Sequence, residues 1–352
     1  MKILVTGGTG FIGSHLVRAL VKQGDSVFCL ARNKKKAHSL NLSKVSLVKG
    51  DIRDKRAVER AIKGMDVIYH LAAISGKVAI SPALYQAVNI EGTRNIIEAC
   101  LKAKVKRLVH TSTVAVTGKL DKIPGDENSP YRPGNWYEKS KTEGEKLVLE
   151  AVRRGLPAVV VRPGLIYGPG HEGVSMAKFF KMAAKGFAVI PGNGKNLWDI
   201  TYIDDCLQGF LLAGKKKAAL GEVFIINGSK PITVNELLKT LAREAGMELR
   251  LLHLPVWPMR FVGKIFGLVE NVLHLPMPFS GQTVQLLTQS RPHSNEKAKR
   301  ILGYHPRVSL KEGIAKTVAW YREIGFITPA ASRGSKFRPE APPHRRRGST
   351  AP

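Results

Sequence analysis

Tyr137 and Lys141 stand four residues apart in YEKSK, at the start of a segment patterned as a helix. On a helix, positions i and i+4 share a face. An ammonium beside a phenol favours phenolate and brings a tyrosine toward the working range of an acid–base catalyst. Upstream lies HTSTVAVTG (110–118), rich in hydroxyls and directly following the apolar run RLVH. A hydroxyl there can share a substrate oxygen with Tyr137. At the N-terminus, MKILVTGGTGFIG runs an apolar strand into Gly7, Gly10 and Gly13, and SHLVRALVKQG continues as an apolar helix. Strand, glycine turn and helix in this order suit the pyrophosphate of a dinucleotide. The glycines let the backbone approach, and the helix N-terminus offers unpaired N–H groups. An ordinary tight strand-to-helix turn is the alternative use of the same glycines.

These groups need elements to hold them. Apolar runs predict strands at 2–6, 26–31, 45–49, 66–70, 106–111 and 157–162, and amphipathic patterns predict helices at 11–23, 54–63, 82–103 and 136–154. The alternation predicts an α/β fold: a Rossmann-type, doubly wound parallel sheet with right-handed crossovers and helices on both faces. Past residue 165 the rhythm loosens among prolines and glycines. One more strand is expected at 221–228, returning to the sheet, and one more helix at 235–246. The expected division is a dinucleotide-binding domain at 1–165, a smaller and less regular C-terminal substrate-binding part at 166–328, and a basic tail at 329–352. The tail is rich in Pro, Arg, Ser and Gly, and such a composition cannot repay ordering entropy, so it is expected to be disordered. Residues 255–279 place Trp257, Phe261, Ile265, Val269 and Val272 near helical spacing. A core-facing helix or a pocket wall is expected, with membrane contact as the alternative.

The chain has 352 residues, enough for a large core, and a formal net charge of +29. Part of that charge is clustered in Lys34–Lys36, Lys215–Lys217 and Arg345–Arg347. A solvated basic surface is the simple reading, and no nucleic-acid motif accompanies the charge. Weak contact with an anionic membrane surface is the alternative. Cys29, Cys100 and Cys206 are isolated and fit no metal or redox spacing. They point to a reducing compartment, and with no secretory signal in view a cytoplasmic location is expected. No metal site is expected.

Taken together, the motifs resemble the extended short-chain dehydrogenase/reductase family, which contains nucleotide-sugar epimerases, 3β-hydroxysteroid dehydrogenases and dihydroflavonol reductases. The matching pieces are TGGTGFIG, GDIRD (50–54), HLAA (70–73), VNIEGTRNIIEAC (88–100), TSTVAVTG, YEKSK, RPGLIYGPG (162–170) and YIDD (202–205), in the family's order. The resemblance implies that Tyr137 moves the proton at the substrate oxygen. It implies that Lys141 binds the nicotinamide ribose and lowers the tyrosine pKa, and that Thr113, rather than Ser112, supplies the hydroxyl. Gly7, Gly10 and Gly13, with Phe11 and Ile12 at the helix start, would hold the pyrophosphate. Asp51 and Ile52 would flank the adenine, and Leu71, Ala72 and Ala73 would line the ribose and nicotinamide side. Asn89 matches a structural asparagine. A homodimer through the helices at 82–103 and 136–154 is expected by analogy.

Two departures bear on ligands. NAD-binding members usually end the second strand on an acidic residue that bonds the ribose 2′-hydroxyl. Here Ala31 holds that place, followed by Arg32, with Lys34 and Lys35 nearby. NADP is therefore favoured over NAD; the alternative is that these are surface cations indifferent to the cofactor. Epimerases of the family carry an asparagine and an arginine where this chain has Leu165 and Trp198. Two apolar replacements favour an apolar alcohol or ketone over a sugar diphosphate. The leading expectation is an NAD(P)-dependent oxidoreductase acting on a small, sterol-, steroid- or flavonoid-like molecule. A nucleotide-sugar epimerase or dehydratase is the alternative, and a non-catalytic dinucleotide-binding scaffold is the third.

Overall fold

Apolar runs too short for helices, rich in Val, Ile and Leu, build the centre of the molecule. In the computed structural model, which describes residues 1–33, 44–75, 80–171, 179, 186–259, 261, 263 and 287–327, these runs are β1 (Lys2–Thr6), β2 (Ser26–Ala31), β3 (Val45–Lys49), β4 (Val67–His70), β5 (Arg107–Thr111), β6 (Ala158–Pro163) and, later in the chain, β11 (Val223–Ile226). They form one seven-stranded sheet in the order β11-β6-β5-β4-β1-β2-β3. Every neighbouring pair is parallel. Parallel strands buried on both faces read as largely apolar runs, as the inner strands do; the edge strand β3 (VSLVK) has no fully buried residue.

The two faces carry separate cores, because successive side chains of a strand point to opposite sides. On one face Ile3, Val5 and Val67 pack with Leu16, Val17 and Leu20 of α1 (Phe11–Lys22) and Phe210 of α6 (Ile203–Lys215). On the other, Leu4, Ile68, Leu108 and Val160 pack with Val58 of α2 (Lys55–Ile62), Ile96 of α4 (Gly92–Ala103) and Val148 of α5 (Trp136–Arg153). The strand order reverses between β1 and β4. Such a switch point opens a crevice at the carboxyl ends of the strands, where ligands of these sheets bind.

The helix expected over 82–103 is interrupted. A short α3 (Pro82–Tyr85) runs into a wide π turn, Gln86–Glu91, before α4 begins. The turn brings Asn89 inward. Its Oδ1 accepts from Ile74 N at 2.8 Å, and its Nδ2 donates to Ile74 O at 3.0 Å and Ser140 Oγ at 2.9 Å. Hydropathy of period 3.6 carries no mark of such a turn; the bonds of one side chain hold it.

After β6 the elements are small. Strand β7 (Leu165–Tyr167) pairs with β10 (Ile200–Tyr202), β9 (Leu197–Trp198) with β12 (Ile232–Thr233), and β8 (Phe187–Pro191) with β13 (Arg250–Leu254). The expected helix at 235–246 is α7 (Val234–Ala245), and α8 (Leu310–Glu323) packs beside it. Trp257 and Phe261, expected to face the core or a pocket, are instead exposed, at 77% and 66%. The rest of the 255–279 segment beyond the described positions, Lys34 to Lys36, and the tail at 329–352 lie outside the described residues. Among the described residues no helix is long and apolar enough to cross a membrane.

Candidate active site

The carboxyl ends of β1, β4 and β5 carry the candidate site. Gly7 follows β1 with φ +72°, and a Cβ there would lie 2.6 Å from the amide nitrogen of Ala72. Only glycine tolerates both conditions. Gly10 N donates to Gly7 O at 2.9 Å, closing the turn, and a side chain on Gly13 would run into that same carbonyl. Gly10 is also the N-cap of α1 and offers no side-chain acceptor. The first-turn N–H groups, which a Ser or Asp cap elsewhere satisfies, thus face outward beside a backbone cradle, and Phe11 and Ile12 lie in that turn. This arrangement fits a pyrophosphate, the group the glycine spacing implies.

The neighbouring strand end is tied to the cradle. Leu71 N donates to Thr6 O at 3.1 Å, and Ala72 N donates to Thr6 Oγ1 at 3.3 Å. His70 is buried, with Nδ1 2.7 Å from Thr6 Oγ1 and Nε2 3.1 Å from Thr93 Oγ1. Leu71 and Ala72 are partly buried and Ala73 is exposed. On the far side of β1, Asp51 is gripped by Arg53 through its backbone N–H and its guanidinium. That hydrogen bonding holds the Asp51 carboxyl below its ordinary range, with the Arg32 charge adding in the same direction. Ile52 is buried beneath Gly92, and its carbonyl accepts from Asn95 Nδ2 at 2.9 Å. Arg32 is exposed, directly after Ala31.

The hydroxyl, the phenol and the ammonium meet past β5. Thr113 caps the 3-10 turn Val114–Thr117, accepting from Ala115 N at 3.2 Å, and its hydroxyl is near enough to Tyr137 to pull the phenol's pKa down. Ser112 faces the other way: it is buried and donates to Glu145 Oε2 at 2.5 Å. Of the two hydroxyls, the one that reaches Tyr137 is therefore Thr113. Lys141 is buried and donates from Nζ to Thr111 O at 2.5 Å. Burial pulls its pKa down to about 8, opposed by the Glu145 carboxylate.

Lys141 was expected to lower the tyrosine pKa, and the geometry corrects this. Burial pushes the Tyr137 phenol up to about 12, the Thr113 bond pulls it back, and the nearby Tyr85 and Glu138 raise it further. The ammonium is turned to the Thr111 carbonyl and does not enter that balance. The cause is desolvation, which penalises phenolate more than one hydroxyl donor favours it.

A polar core beneath these residues was not read from the sequence. Glu145, fully buried, receives Arg162 Nη2 at 2.6 Å and Nε at 3.1 Å, and Tyr131 Oη at 2.8 Å, besides Ser112. Arg162 is 2% exposed. Glu145 follows Lys141 at i+4, so its placement on the active face was available from helical spacing. The arginine partner was not, because it arrives on another strand.

A second cluster joins distant segments. His293, buried, has Nδ1 2.9 Å from Asp199 Oδ2 and Nε2 2.9 Å from Thr117 Oγ1, and its backbone N–H donates to the same carboxylate at 2.7 Å. Thr117 closes the turn that Thr113 opens. On the substrate side, Leu165 is partly buried beside Ile200. Trp198 is 5% exposed and packs edgewise on Phe179, with ring centroids 5.7 Å apart. Its main contacts are those of the core rather than of an open wall.

A doubly wound sheet whose glycine cradle faces a Thr–Tyr–Lys set across the switch point is the arrangement of short-chain dehydrogenases of the extended type. The comparisons agree. The family described as "NAD dependent epimerase/dehydratase family" matches residues 3–227, and the chain belongs to that family. The 2-alkyl-3-oxoalkanoate reductase of Stenotrophomonas maltophilia is 32% identical, over 91% of this chain and 99% of that protein. The 3beta-hydroxysteroid-dehydrogenase/decarboxylase isoform 2 of Arabidopsis thaliana is 30% identical over 96% of this chain, and the match spans 64% of the length of that protein. The solved UDP-glucose 4-epimerase of Thermotoga maritima, with UDP-glucose, is 29% identical with a TM-score of 0.75, covering 92% of this chain and 99% of that one.

Proposed function

We propose that the protein is a nicotinamide-dependent oxidoreductase that interconverts a hydroxyl and a ketone on a largely apolar substrate. The observation that carries this reading is the grouping past β5 of Thr113, whose hydroxyl lowers the Tyr137 phenol's pKa, with Tyr137 and the buried Lys141, across the switch point from the glycine cradle. When bound, the nicotinamide supplies the hydride acceptor or donor. With its pKa at about 12, Tyr137 is a neutral phenol at neutral pH and can give its proton to a carbonyl oxygen. Thr113 bonds to the same oxygen and fixes its direction. Lys141, protonated below about pH 8, offers its ammonium to the cofactor ribose. In the oxidative direction Tyr137 must first release its own proton to solvent; its oxygen then takes the substrate O–H proton while the carbinol C–H leaves as hydride, so oxidation is favoured by raised pH.

The substrate we favour carries a carboxylate next to the reacting carbon. One relative is named for a 3-oxoalkanoate and another couples hydroxysteroid dehydrogenation with decarboxylation. A β-oxo acid, as the ketone that is reduced in one direction or formed in the other, is the class that unites the two names. The partly buried Leu165, apolar where epimerases carry an asparagine, supports an apolar body for it. For the cofactor we propose NADP over NAD, because β2 ends on Ala31 instead of an acidic residue and the exposed Arg32 follows it. Arg32→Ala is then expected to weaken NADP more than NAD, and equal titrations of both cofactors in the unaltered protein would refute the preference.

The reading is tested by the absorbance of reduced nicotinamide with a hydroxy acid or ketone panel. Net formation or consumption is expected, and Tyr137→Phe should lower turnover by about 10²–10⁴-fold with cofactor affinity retained. Conversion of a UDP-sugar with no net absorbance change would instead establish the epimerase alternative, which the Thermotoga structure favours.

A further inference from the structure

We propose that Arg291 is the residue that selects a carboxylate on the substrate; this rests on the oxidoreductase reading above. Arg291 lies on a strap, residues 289–295, that crosses from the small strands to the active-site turn. The strap is fixed along its length. Leu197 N donates to Ser290 Oγ at 3.1 Å, and Arg291 N donates to Leu197 O at 3.0 Å. Gly125 N donates to Pro292 O at 2.9 Å, and Ser294 N donates to Gly125 O at 2.8 Å. His293 is locked between Asp199 and Thr117, and its carbonyl accepts from Asn227 Nδ2 at 2.6 Å. The backbone that carries Arg291 is therefore held by Leu197 of β9 on one side and by the Thr113–Thr117 turn on the other.

The guanidinium is far less committed than this backbone. Its Nε and Nη2 donate to Gln289 Oε1 at 3.1 and 2.7 Å, within the strap itself. Its Nη1 reaches Glu138 Oε1 only at 3.4 Å. Glu138 is in turn satisfied by Gly134 N at 2.5 Å and adjoins Tyr137, whose phenol feels its charge. A guanidinium has five N–H donors, and these three contacts leave part of the fork unused. Arg291 is 17% exposed at the side chain, against 2% for the fully engaged Arg162. So a fixed backbone presents a partly accessible guanidinium to Glu138, the carboxylate whose charge the Tyr137 phenol feels. A carboxylate matches the planar fork. The acid group of a β-hydroxy acid, one carbon from the carbinol, is of a size to reach it while the hydroxyl meets Tyr137 and Thr113. The apolar remainder then lies toward the partly buried Leu165.

The test uses the full chain with oxidised cofactor and two ligands, a 2-alkyl-3-hydroxyalkanoate and its methyl ester. Dissociation constants come from calorimetry and turnover from nicotinamide absorbance. The acid is expected to bind about 10- to 100-fold more tightly than the ester, the worth of a charge-assisted pair of hydrogen bonds. Arg291→Met should collapse the acid-to-ester ratio toward one, and Arg291→Lys, which keeps the charge, should retain part of it. A thermal melt of each variant identifies any loss of folding, and Arg291→Lys carries the test if Arg291→Met does not fold. Equal binding of acid and ester by the unaltered protein overturns the assignment, and so does a ratio unchanged in the folded variants, whatever the turnover. Preferential acid binding through Arg291 with no nicotinamide absorbance change would instead overturn the oxidoreductase reading and leave the carboxylate site standing.

Discussion

Removing Glu145 should unfold this protein more readily than almost any other single change near the site. Glu145 is fully buried, and so is its partner Arg162. Glu145→Ala removes every carboxylate contact of the guanidinium, leaving Arg162 with the Glu127 carbonyl at 3.1 Å and the Tyr131 ring at 5.3 Å. An uncompensated buried charge costs about 3–5 kcal/mol, and at ~2–4 °C per kcal/mol for domains of 150–250 residues the melting temperature falls by roughly 6–20 °C. Tyr131 and Ser112 lose their acceptor too, so the start of the Thr113 turn should loosen and turnover fall with stability. Arg162→Met should cost a similar amount, because it strands the carboxylate. The pair Glu145→Ala with Arg162→Met should recover much of the loss, since neither charge is then buried. Urea unfolding of the four proteins gives the coupling energy. Singles within about 1 kcal/mol of the parent, or a double variant equal to the sum of its singles, would refute this account of the network.

Two predictions concern titration. Lys141 has its folded pKa near 8 against an ordinary 10.5, so between those values the unfolded chain holds a proton that the folded protein lacks. Stability linked to this group therefore rises with pH across that window, while cofactor affinity should fall above about pH 8 as the ammonium donor is lost. Fluorescence titration of the cofactor from pH 6 to 10 checks this, and a dependence unchanged in Lys141→Met would count against it. His70 and His110 are buried with ring centroids 5.4 Å apart, and desolvation, with the Lys141 charge, lowers both pKa values, His70 to about 3 from 6.5. Below pH 6.5 the unfolded chain takes up protons that the folded one refuses, so stability should drain away as the pH falls toward 3. Among the described residues neither His110 ring nitrogen has a hydrogen-bond partner. His110→Leu should accordingly be within about 1 kcal/mol of the parent at pH 7, or more stable, and should lose less on acidification. A loss above about 2 kcal/mol in urea at pH 7 would reveal a bond to an internal water.

The sequence by itself fixed the parts of this protein that are local or periodic. Strands β1 to β6 are where short, mainly apolar runs put them; the inner ones are buried on both faces and tolerate little else, while the edge strand β3 is only partly buried. The glycine cradle was readable for the same reason: Gly7 needs a positive φ and a missing Cβ, and the chain spells that need out within seven residues. The four-residue step from Tyr137 to Lys141 reports a shared helix face wherever the helix is placed. What a side chain meets from another segment is a different matter. The pKa of Tyr137 is set by burial and by Thr113 rather than by Lys141, and burial is a property of the assembled crevice. The π turn at Gln86–Glu91 depends on what Asn89 finds at Ile74 and Ser140. Arg162 meets Glu145 across 17 residues, and His293 meets Thr117 across 176. No pattern within either segment encodes those meetings, because hydrogen-bond partners of high sequence separation are chosen only when the sheet and the strap have closed around them.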